Sequence, residues 1–199
     1  MRGQLSGLGV MMVLLGLAIL PGSARAANIQ NVDLGPRAQV WFAEDHTVPI
    51  VVFNISLPAG SAYDPPGKAG LAEFAGSMID EGAGSLDSAA FHDALANRAI
   101  SFNARAERDY LVISISTLKE NAPEAMHLLQ LALTRPRFEP EALQRVRAQI
   151  IQSLQQDQAE PQRLAARGFM RYFFGGHAYA HPISGEIDSI SSVTAADLR

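Results

Sequence analysis

The chain has 199 residues, enough for one domain with a sizeable core. With 48% hydrophobic and 18% charged residues it is not a disordered chain, and a net charge of −4 without a dense basic stripe argues against nucleic-acid binding. It has no cysteine, which excludes a disulfide framework and a thiolate zinc site.

The N-terminus reads as an export signal. Arg2 supplies a positive end, Val10 to Leu20 is almost uniformly apolar, and Pro21 and Gly22 follow. Ala24, Arg25 and Ala26 give the small-x-small pattern of a cleavage site. The apolar run is shorter than the ~20 residues that cross a bilayer. Residues 1–26 are therefore expected to be a secretory signal peptide, with residues 27–199 as the exported, periplasmic protein and no membrane span after cleavage.

Gln39 to Phe42 and Ile50 to Leu57 are predicted strands. In the second, Phe53, Ile55 and Leu57 alternate with Asn54 and Ser56, which suits a sheet covered on one face. Ser61 to Lys68 carries Asp64, Pro65, Pro66 and Gly67 and reads as a loop. A helix is predicted from about Ala69 to Asp80, with Leu71, Phe74, Ala75, Met78 and Ile79 as an amphipathic stripe. Asp80 and Glu81 are expected at its solvated end. Asp87 or Ser88 caps a further helix to about Arg98.

Phe102, Ala104 and Ala106, followed by a turn near Arg108 and by Leu111, Ile113 and Ile115, predict a hairpin. Three helices follow, at about Ala122 to Thr134, Pro140 to Gln158 and Pro161 to Phe174. Gly175 and Gly176 end the last of them. Ser192 to Arg199 reads as a cap and a first helical turn, and the chain is expected to be truncated at its C-terminal end. The element order predicts an α+β fold, a mainly antiparallel sheet with helices packed on one face.

Gly70-Leu71-Ala72-Glu73-Phe74-Ala75-Gly76-Ser77-Met78 resembles the zinc-binding helix of the pitrilysin/insulinase peptidase family, which in active members reads G-L-A-H-F-L-E-H-M. Pro58-Ala59-Gly60-Ser61, Arg135-Pro136-Arg137-Phe138 and His177-Ala178-Tyr179-Ala180-His181-Pro182 resemble stretches at corresponding places, so the similarity runs from about Gln39 to Arg199. The resemblance implies the α+β fold of one half-unit of such a peptidase.

In H-x-x-E-H, two His one turn apart bind zinc and the Glu between them activates the bound water. Here those positions are Glu73, Gly76 and Ser77. At about 100° per residue they fall opposite the apolar stripe, on the face expected to look into a cavity. The resemblance places the distal Glu ligand at Ser153, with Gln152 beside it. Neither is a zinc ligand of the required kind. No catalytic, metal or cofactor residue is therefore expected in this chain, and Glu73 reads as a lone carboxylate without a partner base.

Other candidates carry less. His177 and His181 stand four apart, but Gly175, Gly176 and Pro182 make the segment a loop. His46, His92 and His127 have no companions at ligand spacing and read as surface or cap residues. Arg135, Arg137, Arg145 and Arg147 are diluted by Glu139 and Glu141 and read as a charged helix face.

Family peptidases are built from two similar halves around a chamber, and in several of them one half is degenerate. The resemblance thus implies a non-catalytic subunit of an exported, two-subunit zinc-peptidase-like assembly. Its implied partners are a zinc-bearing homologous subunit and a peptide substrate, with the substrate-gripping residues in a following domain. The alternatives are a purely structural or binding module and an active metalloendopeptidase with an unrecognised site.

Overall fold

The computed structural model describes residues 28–35 and 38–199. The expected export segment, residues 1–26, lies outside them. The chain divides into two compact units, one ending at Val48 and one spanning Pro49–Arg199.

The first unit contains an antiparallel pair, β1 (Ile29–Asp33) and β2 (Gln39–Ala43), with Val32 opposite Val40. Only β2 is predicted by the sequence. β1 is a short Ile-Gln-Asn-Val-Asp run without a clean alternation, and its partner's edge decides its conformation.

The second unit holds β3 (Ile50–Leu57), α1 (Leu71–Met78), α2 (Ser88–Asn97), β4 (Ser101–Ala106), β5 (Leu111–Leu118), α3 (Ala122–Thr134), α4 (Pro140–Gln158), α5 (Pro161–Phe174) and a short α6 (Ile187–Ser191). The sheet order is β3-β5-β4, antiparallel throughout. The register aligns Phe53, Ile115 and Phe102 in one row, and Ile55, Ile113 and Ala104 in the next. Leu57, Leu111 and Ala106 form the third row. Period-two alternation then puts Asn54, Ser114 and Asn103 on the opposite face.

Helices α2 and α3 cover the apolar face. Phe91 and Leu95 of α2 and Leu128, Leu129 and Ala132 of α3 pack with Ile113 and Ile115 in one core. Phe91 meets Phe102 edge-on, with ring centroids 6.3 Å apart. A second core joins Phe74 and Met78 of α1 to Leu143, Val146 and Leu154 of α4 and to Ile190 and Val193 near the C-terminus. Helix α1 thus stands between the sheet and α4.

Its start is fixed by a remote carboxylate. Asp64 accepts the amides of Gly70 and Ala72 at 2.7 and 2.9 Å, which satisfies donors that an α-helix leaves unpaired. Gly70 has φ +90°, and a Cβ there would lie 2.8 Å from the Cα of Gly185. This close approach brings the 182–185 loop directly over the entry to α1.

Helix α5 lies on the surface. None of its residues is buried. Arg163 and Arg167 both pair with Asp157 at 3.1 Å, and Arg171 pairs with Glu186 at 2.8 Å. Its aromatic side is exposed, with Phe169 stacked on Phe173 at 5.5 Å and Tyr172 91% exposed.

Ser192 to Arg199 holds a cap and a turn: Thr194 and Asp197 bond each other, and the backbone bonds there reach three residues back. A short helix, α6, precedes it, where Glu186 and Ser189 form a capping box. Two expectations are corrected here. The basic residues between Arg135 and Arg147 are not one charged helix face. Arg137 pairs with Glu139, Arg145 pairs with Glu81, and Arg147 donates to the Val193 carbonyl at 2.5 Å. Glu81 is correspondingly held by Arg145 and Ser88 rather than solvated.

Candidate functional site

The candidate site is built where α1 crosses the free edge of the sheet. Strand β4 is an edge strand, and the Ala106 amide points away from β5. The Glu73 carboxylate accepts that amide at 3.2 Å. Burial raises the Glu73 carboxyl above its ordinary value near 4.5, against the opposing effect of the Ala106 bond.

Glu73 borders a cavity of about 580 Å3. Its other walls come from the end of β4 (Arg105, Ala106), from Arg108, from the end of α4 (Asp157) and from the inward side of α5 and the 180–184 segment. A larger cavity of about 740 Å3 lies along α5 as well, beside Leu154, Leu164 and Ile187. It contains none of the positions singled out by the sequence.

Of those four positions, only Glu73 reaches the first cavity. Gly76 is buried and faces the sheet: a Cβ there would sit 3.1 Å from Leu111 Cδ1 and 3.7 Å from the Ala104 carbonyl carbon. Ser77 is half-exposed, Ser153 is exposed, and neither lines the cavity. The expectation that Glu73, Gly76 and Ser77 share one cavity face is therefore corrected. Helix α1 is buried on two sides, through Gly76 towards the sheet and through Phe74 and Met78 towards α4. A single apolar stripe could not reveal that.

One carboxylate, a glycine and two serines do not make a zinc site, which needs three protein ligands of the His, Cys, Asp or Glu kind. Among the described residues, no group of three or more such side chains is placed to hold a metal. His177 caps a 3-10 turn, with its Nδ1 accepting the Tyr179 amide at 3.1 Å, in agreement with its reading as a loop residue. His92 lies 3.4 Å from Asp80.

The sequence reading missed the cavity's arginines. Arg163 and Arg167 stand four apart on α5, a spacing that places both on one helix face and was legible. Arg105 reaches the cavity from the end of β4 and Arg108 from the β4–β5 turn.

With this geometry in hand, the comparisons are specific. The chain is 26% identical over 163 residues to the "Non-peptidase homolog YmxG" of Helicobacter pylori, covering 82% of this chain and 38% of that protein. It is 24% identical over 147 residues to the mitochondrial-processing peptidase subunit beta of Dictyostelium discoideum, covering 73% of this chain and 31% of that one. Its fold superposes on the crystal structure of a peptidase M16 inactive domain from Pseudomonas fluorescens with a TM-score of 0.79 and 26% identity, over 86% of this chain and 42% of that one. The chain thus spans less than half the length of each of these relatives. The family model for insulinase (peptidase family M16) matches residues 39–186, so the chain belongs to that family.

Proposed function

We infer that this chain is a non-catalytic module of an exported peptidase-like assembly, lining a peptide-enclosing chamber beside a zinc-bearing homologous subunit. The observation that carries the reading is the replacement at the metal positions. Glu73, Gly76, Ser77 and Ser153 stand there, and the one carboxylate among them is committed to the Ala106 amide. Two relatives point the same way, since one is a non-peptidase homologue and another an inactive domain. The name of a third, a processing-peptidase subunit, supports work in an assembly. The apolar segment ahead of Ala24-Arg25-Ala26 supports export. Zinc belongs, on this reading, to the partner alone.

The test uses the full-length protein, alone and mixed with a homologous subunit that keeps H-x-x-E-H. The isolated protein is expected to hold no stoichiometric zinc and to cleave no peptide. The mixture is expected to co-purify and to cleave faster than the partner alone. Zinc or cleavage by the isolated protein overturns the non-catalytic reading, whereas failure to co-purify overturns the subunit reading and leaves a free-standing module.

A further inference from the structure

We propose that the cavity beside Glu73 is a binding site for a carboxylate group carried on an apolar peptide. The proposal rests on the reading that the chain contacts peptide, and it names the chemistry of that contact.

Four guanidinium groups, from Arg105, Arg108, Arg163 and Arg167, border the cavity, against two carboxylates, Glu73 and Asp157. Asp157 is already shared, 3.1 Å from both Arg163 and Arg167. Arg163 also meets Glu160 at 2.7 Å, and Arg105 meets Glu107 at 2.9 Å, both with well-exposed side chains at the rim. Glu73 gives one oxygen to Ala106.

Arg108 differs from the other three. It forms no ion pair among the described residues. Its Nη1 donates to the His181 carbonyl at 2.6 Å and its guanidinium lies 5.7 Å from the centre of the Tyr179 ring. These contacts hold the planar head in place and leave most of its five N–H donors for a planar acceptor, the geometry that carboxylates match in pairs. The other three guanidinium groups are already paired with carboxylates, so Arg108, fixed in position and without an ion-pair partner, is the group that selects an anion.

The rest of the wall selects an apolar body. Ala166, Met170 and Ile183 line the cavity. The volume, about 580 Å3, lies within the range of roughly 300–1,000 Å3 found for ligand sites. A carboxylate on such a peptide has two sources, the chain terminus and an Asp or Glu side chain.

The experiment measures fluorescence anisotropy with the full chain and three peptides carrying the uncharged dansyl label at the N-terminus. These are Gly-Ser-Ala-Leu-Phe with a free terminus, the same peptide amidated, and an amidated form with Glu in place of Ser. At least one carboxylate peptide is expected to bind ~10-fold or more tightly than the neutral amide, and the tighter one identifies the source. Arg108→Gln should remove most of that preference, Arg108→Lys should keep part of it, and Arg171→Gln, outside the cavity, should leave it unchanged. Equal binding of neutral and carboxylate peptides overturns this proposal and leaves the peptide-contact reading standing. Absence of binding by every peptide overturns both. The comparison of the three peptides needs no variant, so it stands even where a substitution disturbs folding.

Discussion

The Glu73 carboxylate accepts the Ala106 amide at 3.2 Å, joining α1 to the free edge of the sheet. A half-buried acid is thereby used as a backbone partner. An unpaired amide in this position would cost about 1–3 kcal/mol if water could not reach it, so the bond has a structural value independent of any chemistry.

Replacing Glu73 by Gln should keep the acceptor and remove the charge. Burial raises the Glu73 pKa in the folded state, so between its ordinary value near 4.5 and the raised value the folded chain holds more protons than the unfolded one. Stability then falls as pH rises through that window, and the cost remains at neutral pH. Asp64 and Asp80 are raised by burial as well and contribute in the same sense. Urea unfolding at pH 4.5 and 7 should find Glu73→Gln more stable than the parent at pH 7, with a flatter pH dependence. A steeper one would contradict the burial of a charged Glu73.

Writing H-x-x-E-H into α1 should not create a metal site. In the variant E73H/G76E/S77H, the new Glu side chain at position 76 starts 3.1 Å from Leu111 Cδ1, on the side of α1 that lies against the sheet. Overpacking of this kind costs about 1–3 kcal/mol. Ser153 still supplies no third ligand, and zinc sites require one. Dialysis against zinc followed by metal analysis should find well under one equivalent, with a lowered melting temperature. A stoichiometric zinc site in this triple variant would mean that the helix can turn its position 76 into the cavity.

The α+β order, the hairpin and the limits of α3, α4 and α5 were legible in the sequence because each carries its own punctuation. Pro123, Pro140 and Pro161 sit at helix starts, and Gly175 follows α5. What the sequence did not disclose depends on contacts between distant segments. Gly76 reads as one empty position in a motif, yet its lack of a side chain is what lets α1 approach Leu111. Arg147 reads as one more charge, yet it ties α4 to the C-terminal segment. Strand β1 depends on its partner, and α5 leaves its aromatic residues exposed while Arg167 is half-buried against Asp157, against the ordinary pattern of amphipathic helices.

Truncating Phe74 should be among the most damaging single changes. Its side chain is fully buried between α4 and the C-terminal segment, and the Arg147 guanidinium lies 5.8 Å from the centre of its ring. Phe74→Ala is expected to cost about 3–5 kcal/mol through lost burial and the cavity left behind. Arg147→Gln removes charged donors to the Ile190 and Val193 carbonyls and should cost about 1.5–3 kcal/mol. Because the two residues share a contact, their effects should be less than additive in a double-mutant cycle by urea unfolding. Strict additivity would mean that Arg147 works only through the carbonyls.

The C-terminal segment should also carry an acid-sensitive clasp. Lys68 Nζ donates to Asp197 Oδ2 at 2.9 Å and to the Ser192 carbonyl at 2.7 Å, binding the loop before α1 to the last turn. Lys68 first, and then Thr194, hold the Asp197 carboxyl down at about 2, below its ordinary 3.8. A depressed folded pKa gives stability that is complete above the ordinary value and is lost as pH falls from 3.8 towards 2. This is opposite in sign to the contribution of Glu73 and acts in a separate, lower window. Lys68→Met should raise the Asp197 pKa, seen by carboxyl NMR titration, and shift acid loosening of the C-terminal segment to higher pH. The Thr194 bonds keep part of the depression, so the residue should not return fully to its ordinary value. An unchanged Asp197 titration in Lys68→Met would assign the depression to Thr194 alone and remove the clasp.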